Sequence, residues 1–285
     1  MTDSHAHYTH IKFAQNNYKY LVYRDGSYTV KLGGLGDVIR EIKESGITAV
    51  IEPAIGMESN EKILKAHKEA PDFVYPAAGL HPACCRDTDW RERKALERYA
   101  SYPEVIAIGE TGLDYFHGQG KKEFSCQKRW FVYQIKLAHR KKLPLILHIR
   151  DADSDGLKIL KRYRGKLHSG VAHCFKGDTK TAKRYIGLGF YIGIGGHLLR
   201  EGEHLPGLTD AVKEMPLERI LLETDSPYMN PDCADPEGRD ISKDYRNTST
   251  VIFAVAERIA ALKGIPVGAV LEAAEKNVRA LFGAV

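Results

Sequence analysis

The 285-residue chain has 43% hydrophobic and 28% charged residues, which excludes wholesale disorder and supplies a large core. A net charge of +5 favours anionic partners without requiring them, and five scattered cysteines with no Cys-x-x-Cys pair exclude a disulfide framework and a zinc ribbon. No apolar run reaches the roughly 18 residues of a membrane span, and Met1-Thr2-Asp3 leads straight to His5, leaving no room for a signal peptide, so a soluble cytoplasmic protein is expected.

Apolar runs and helical patterns alternate along the chain, as in a parallel sheet wrapped by helices. The length suits a (β/α)8 TIM barrel of about 250 residues, so an α/β fold in a single domain over 1–285 is predicted. The first strand is very short and ends in Asp3-Ser4-His5-Ala6-His7, where alternation puts both imidazoles on one side. Residues 8–32 interrupt the pattern. Lys19–Arg24 and Ser27–Leu32 flank Asp25-Gly26, a two-residue hairpin signal, so a β-hairpin over about 18–32 is predicted to follow strand 1. In a barrel that loop rises on the catalytic face. The hairpin is therefore expected to overhang the site as a wall or lid, with Tyr18, Tyr20, Tyr23 and Tyr28 stacking bases and Lys19, Arg24 and Lys31 screening phosphates; the alternative is a hairpin that packs outward on a neighbouring loop or subunit.

A helix is predicted over Leu35–Ser45, a strand over Thr48–Glu52 and a second helix from Ser59, as N-cap, to Ala70. The strand Phe73–Leu80 ends in His81-Pro82, which makes His81 a candidate substrate contact. After a helix over Trp90–Ala100, the strand Val105–Ile108 delivers Glu110 within Gly109-Glu110-Thr111-Gly112-Leu113-Asp114-Tyr115. The glycines let backbone approach closely, and a carboxylate after a buried strand is costly unless paired or metal-bound. A long helix over Lys122–Lys142 turns Trp130, Phe131, Ile135 and Leu137 inward; the strand Leu143–Leu147 then delivers His148 and Arg150 to one side, which suits an anionic substrate on a metal. A helix over Ser154–Arg164 and a strand over Gly170–Ala172 lead to His173 and Cys174, whose thiol alternation turns away. Phe190–Gly193 is a strand without a ligand, Ile220-Leu221-Leu222 is a strand that ends in Glu223-Thr224-Asp225, and two helices over 248–263 and 267–281 close the chain.

His5, His7, Glu110, His148, His173 and Asp225 thus fall at strand ends, where parallel barrels carry functional side chains. Four imidazoles and two carboxylates exceed the needs of one tetrahedral ion but suit two ions that share a carboxylate. His5, His7 and Asp225 would hold one ion and His148 and His173 the other, with Glu110 between them. The set has no thiolate and accepts two divalent ions of Zn, Mn, Co, Ni or Mg. Asp225 and Glu110 are the expected catalytic groups, with Arg150 and His81 facing the substrate.

Asp3-Ser4-His5-Ala6-His7, Gly79-Leu80-His81-Pro82, Gly109–Tyr115, His148-Ile149-Arg150-Asp151-Ala152, His173-Cys174-Phe175 and Glu223-Thr224-Asp225-Ser226-Pro227-Tyr228 closely resemble the successive motifs of the TatD-related DNase family, within the metal-dependent amidohydrolase superfamily. The resemblance covers almost the whole chain in order. It implies a (β/α)8 barrel, a divalent-metal-dependent hydrolase with deoxyribonuclease activity, and metal ligands at the six positions above; Arg246-Asn247 resembles the Arg-Asn of a late motif. The chain departs from the family with Tyr8-Thr9 after the first motif, His81-Pro82-Ala83 for His-Pro-His, and Thr248-Ser249 after Arg246-Asn247.

The leading functional expectation is a phosphodiesterase acting on DNA through a metal-activated water, with Arg150 neutralising charge and Asp225 taking the proton. An amidohydrolase, lactonase or esterase on the same scaffold is the alternative, since a carbonyl is polarised by the same ions. A metal-binding protein without turnover is a third reading, against which the intact Asp225 speaks. With no zinc finger or helix-turn-helix signature, nucleic acid would be met through its backbone, at a single strand or an end, and neither a membrane nor a protein partner is implied.

Overall fold

Runs such as Val50-Ile51 and Leu145-Ile146-Leu147 are buried throughout, as strands covered on both faces of a parallel sheet must be. The computed structural model describes residues 1–118, 120–200, 205–231 and 245–283. Its strands are β1 (Thr2–Asp3), β2 (Tyr18–Arg24), β3 (Ser27–Gly33), β4 (Ala49–Pro53), β5 (Val74–Ala78), β6 (Ala107–Asp114), β7 (Leu145–Arg150), β8 (Gly170–Ala172), β9 (Phe190–Ile194) and β10 (Ile220–Leu222). Its helices are α1 (Leu35–Glu44), α2 (Met57–Glu69), α3 (Arg93–Tyr99), α4 (Lys121–Lys141), α5 (Asp153–Arg162), α6 (Thr179–Ile186), α7 (Pro206–Glu214), α8 (Ile252–Lys263) and α9 (Val267–Phe282).

Eight strands form one sheet in the order β1-β4-β5-β6-β7-β8-β9-β10. The chain just past β1 also bonds the end of β10 and the chain beyond it: Ser4 N–H donates to the Leu222 carbonyl at 3.1 Å, Asp225 N–H to that of His5 at 2.9 Å, and His7 N–H to that of Ser226 at 2.7 Å. First and last strands are therefore neighbours, and the order is that of the expected (β/α)8 barrel. Strands β6 and β7 run further than predicted, with Gly112 opposite His148 and Asp114 opposite Arg150, because ladder pairing continues past the last apolar side chain. Helix α2 is capped at Gly56, not Ser59, whose hydroxyl accepts instead from Ile55 and Gly56 N–H. Helices α6 and α7 lie where none is predicted. No helix among the described residues is long and apolar enough to cross a membrane. Cys84, Cys85, Cys126 and Cys174 are reduced thiols, and Cys233 lies outside the described residues.

Two compact units are distinguished by their internal contacts, one of Met1–Ile51, Cys174–Ala182 and Gly193–Val278, the other of Glu52–His173, Lys183–Ile192 and the chain from Arg279 onward. In the first, β2 and β3 form the antiparallel hairpin around Asp25-Gly26, both with positive φ (50° and 77°), as a tight turn of this type requires. One arm of the hairpin is packed against the closing helices of the same unit. Leu21 and Tyr23 are buried with Val251 and Ala254, while Tyr28, Val30 and Phe253 pack against them; the Tyr23 hydroxyl bonds Glu257. Arg24 and Lys31 both pair with Glu41 of α1, at 3.1 and 2.6 Å. Tyr23 and Tyr28 are thus engaged in packing, whereas Arg24 and Lys31 pair with Glu41 and stay nearly half exposed.

In the second unit the α4 stripe Trp130, Phe131, Ile135 and Leu137 is buried as expected. Between these apolar residues sit Gln127 and Gln134, fully buried, whose amides each make two bonds to backbone: Gln127 to Asp114 at 2.9 and 3.0 Å, and Gln134 to Leu80 at 2.9 and 3.0 Å. Asn60 of α2 does the same for Gly79. Irregular backbone past a strand leaves its polar groups unpaired in the core, and these amides satisfy them.

If the hairpin is a structural splint, Leu21→Ala should lower unfolding free energy by about 2–5 kcal/mol, the usual cost of truncating a buried leucine. A loss below about 0.5 kcal/mol in chemical denaturation, the range of exposed sites, would show that the packed arm is not a splint.

Candidate metal centre

Two groups of donors converge, one in each unit. Alternation past β1 turns His5 and His7 to the same side, with their Nε2 atoms 3.2 Å apart. Asp225 Oδ1 stands 3.4 Å from His7 Nε2 and 3.7 Å from His5 Nε2. Asp225 itself adopts a left-handed backbone (φ 55°), uncommon for a residue with a side chain. That conformation is held from three directions: its N–H bonds the His5 carbonyl, its carbonyl accepts from Tyr228 N–H at 2.8 Å, and Asn247 Nδ2 donates to the adjacent Thr224 carbonyl at 2.9 Å.

Beneath this group lies Asp3, fully buried. Its carboxylate accepts from Thr224 Oγ1 at 2.5 Å, Ser249 Oγ at 2.6 Å, and the N–H groups of His5 and Thr224 at 3.2 Å each. Burial pushes its pKa up to about 6 against the pull of those four donors. Glu223, also buried, accepts a short bond from the N–H of Cys174, which is left-handed as well (φ 49°).

In the second unit the strand register shifts between Ile108 and Thr111, which aims Glu110. Gly109 and Gly112 are needed there: a Cβ on the first would overlap Ile146, and on the second the His148 carbonyl. The close backbone approach expected from these glycines is thus present. Glu110 Oε2 lies 3.1 Å from His148 Nδ1 and 3.0 Å from His173 Nε2, and these two nitrogens are 3.1 Å apart.

Donors held about 2.0–2.1 Å from a shared ion stand roughly 3.0–3.4 Å from one another, for octahedral to tetrahedral angles. The second group has these spacings on all three edges, and the first on two edges, with a slightly longer third. The residues fit divalent ions: imidazoles and carboxylates, without a thiolate among the six.

Asp114 is the residue that sequence reasoning missed, although its alternation with Glu110 along β6 was visible. It lies 3.4 Å from His148 Nε2, where a carboxylate can orient a ligating imidazole, and bonds His117 Nδ1 at 2.7 Å on its other side. Burial raises its pKa, but the bonds from His148 and His117 outweigh this and hold it below the ordinary carboxylate range. On His148 burial opposes charge, and the bonds to Asp114 and Glu110 overcome it and lift the pKa to about 9. His81, pushed down to about 3 chiefly by burial, accepts the Ala83 N–H on Nδ1 and directs Nε2 towards Glu110 at 3.8 Å. Its ring meets that of His148 edge-on at 4.1 Å. The Arg150 guanidinium carbon lies over the Phe116 ring, 3.9 Å from its centre, and has no carboxylate partner among the described residues.

The family model for TatD related DNase matches residues 2–283. An uncharacterized metal-dependent hydrolase of Bacillus subtilis, YabD, is 30% identical over 248 residues, 87% of this chain and 92% of the relative. A 3'-5' ssDNA/RNA exonuclease TatD of Rahnella sp. is likewise 30% identical over 248 residues, 86% of this chain and 90% of the relative. Among solved structures, the TatD homologue YJJV of Escherichia coli is similar with a TM-score of 0.81 and 26% identity, over 100% of this chain and 98% of the other. With the predicted motifs in place, the strand order of the barrel and donors clustered for metal, the chain belongs to the TatD-related DNase family and is a metal-dependent hydrolase.

Proposed function

We propose that the protein is a two-metal phosphodiesterase that cleaves polynucleotide strands from a single-stranded end. The observation that carries this is the pair of three-donor groups with coordination spacings, together with Arg150, a guanidinium without an acid of its own two residues beyond His148. The name of the Rahnella relative, an exonuclease for single-stranded DNA and RNA, supports the choice of substrate.

In this reading His5, His7 and Asp225 hold one divalent ion and Glu110, His148 and His173 the other. Glu110 meets both imidazoles through Oε2, and its carboxylate would supply the shared ligand that this reading calls for. The ions supply a water of lowered pKa and charge stabilisation at the phosphoryl oxygens. Asp225, whose side chain is 17% exposed while His5 is fully buried, is the group a water can reach, and it takes the proton of the attacking water. Arg150 presents its planar fork to a nonbridging oxygen, with the Phe116 ring beneath the guanidinium. His81 places Nε2–H near Glu110 and steadies its charge.

Metal-saturated protein is expected to hold two divalent ions per chain, counted by elemental analysis and located by anomalous scattering. One ion at saturation, with Glu110 turned away, would overturn the shared carboxylate.

Asp225→Asn keeps a ligating oxygen but cannot take the proton, so turnover should fall on the order of 10²- to 10⁴-fold with folding intact. The assay panel should contain single-stranded and duplex DNA, RNA, a small phosphodiester and simple esters or lactones. Turnover of the last group alone would replace the phosphodiesterase by a small-substrate hydrolase, and an Asp225→Asn enzyme of parental activity would remove Asp225 from proton transfer.

A further inference from the structure

In the first unit, Lys12 and Arg246 are two cations that neither donor group uses. Arg246 is clamped by the hairpin: its N–H donates to the Lys19 carbonyl at 3.1 Å, and its carbonyl accepts from Leu21 N–H at 2.9 Å. The guanidinium lies 3.6 Å over the face of Tyr18, and Nη2 donates to Gln15 Oε1 at 2.7 Å. Because the contact is with the ring face, neither the buried Nη1 nor the Tyr18 hydroxyl makes a hydrogen bond. A buried N–H donor left without an acceptor is costly, and a charged one more so. Lys12 Nζ stands 4.0 Å from the centre of the Tyr228 ring. Tyr228 in turn bonds the Asp225 carbonyl through its N–H and His10 Nε2 through its hydroxyl at 3.0 Å, and His10 N–H bonds the His7 carbonyl at 3.1 Å. Neither Lys12 nor Arg246 has a carboxylate partner among the described residues. The two cations are brought to one neighbourhood by backbone: Asn247 N–H, next to Arg246, donates to the carbonyl of Pro227, next to Tyr228, at 3.2 Å, and burial together with the charge of Arg246 lowers the Lys12 pKa.

We propose that Lys12 and Arg246 form a second phosphate subsite, which binds a phosphate of the polynucleotide strand other than the one being cleaved. The proposal rests on the phosphodiesterase reading of the metal centre. It also accounts for the hairpin, which bonds both backbone groups of Arg246 and covers its guanidinium with Tyr18, so that the fork is pre-oriented and the ordering cost of binding is reduced. The part of the half-buried guanidinium that stays accessible is then what a phosphate oxygen meets, with Lys12 as the more mobile point charge. Such a subsite tells a strand from a small diester, because only a strand carries a second phosphate.

The test compares parent, Arg246→Met, Arg246→Lys, Lys12→Met and the remote surface control Lys94→Met on a single-stranded oligonucleotide and on a small diester with one phosphate. Loss of a charged hydrogen bond to phosphate should raise KM for the oligonucleotide about 10- to 100-fold in Arg246→Met. It should also flatten the plot of log KM against log salt by about 0.7 per cation removed. Turnover of the small diester and the control variant should stay at parental values. Oligonucleotide affinity of the chelator-treated protein, read by fluorescence anisotropy, should show the same losses without any cleavage.

Strands with a neutral methylphosphonate beside the cleaved linkage, or with a terminal hydroxyl in place of a terminal phosphate, distinguish an internal from a terminal phosphate as the ligand. Whichever change matters should weaken the parent and leave Arg246→Met unaffected. Should Arg246→Met fail to fold, Arg246→Lys and Lys12→Met carry the comparison. An unchanged salt slope, or equal losses on strand and small diester, would overturn the subsite. A parent protein that cleaves no phosphodiester at all overturns the proposed function instead, and the binding measurement separates the two failures.

Discussion

The buried carboxylate of Asp3 is the constraint on which the first donor group depends. Four donors converge on it from three separate stretches of chain: His5 beside it, Thr224 just before Asp225, and Ser249 at the start of the closing helices. Remove this acceptor and four buried donors lose their partner, at about 1–3 kcal/mol for each left unsatisfied. More to the point, the residue that carries His5 and the residue that carries Asp225 would lose their common anchor. The side chains that would hold an ion thus inherit their spacing from a carboxylate that touches none of it, which is how outer groups commonly fix a metal site.

Ser249 shows how such a network tolerates change. Two of the three places where the sequence departs from the family's motifs are Tyr8 and Thr248-Ser249, 241 residues apart at Tyr8 and Ser249, and the structure joins them. The Tyr8 hydroxyl meets Ser249 Oγ at 2.8 Å and accepts the Ser249 N–H at 2.8 Å. Thr248 Oγ1 donates to the Leu21 carbonyl at 2.6 Å and so ties the inserted hairpin to the same stretch. A polar pair placed in the core is stable only if each member satisfies the other, so these departures belong together with the hairpin. The third departure is local: Ala83 has no imidazole to offer, and its N–H caps His81 Nδ1 instead.

The fold was legible in the sequence because burial on two faces leaves continuous apolar runs, and the donors were legible because alternation and glycine spacing act over a few residues. Strand ends were less so, since β6 and β7 extend through polar residues whose pairing depends on a neighbouring strand. Asp114, Gln127 and Gln134 escaped for the same reason. Nothing local distinguishes a buried amide on α4 from one facing solvent, because its function lies in backbone dozens of residues away in the case of Gln134 and Leu80. The hairpin was recognised from Asp25-Gly26, but what its arms pack on was not. Aromatic arms describe equally well a surface that meets a ligand and one that meets a helix; only Val251, Ala254 and Phe253, more than 200 residues along, reveal the second.

What then separates this chain's substrate from those of other barrels with the same donors lies outside the donors. A carbonyl and a phosphoryl group are both polarised by paired cations, so six ligands alone cannot choose. The choice passes to groups that count charge. A carboxylic ester or a lactone arrives at the reacting centre neutral and has no use for a lone guanidinium, which would have to be desolvated on closure without an anion to meet it. Arg150, held over Phe116 and without an acid, is costly for such a substrate and favourable for a phosphodiester. Its backbone neighbour Asp151 adopts a left-handed conformation (φ 53°), as Cys174 and Asp225 do after His173 and Thr224. Strain recurs where β7, β8 and β10 hand over to their loops, and a fold retains it there only if the residues so displayed are worth more in place than relaxed.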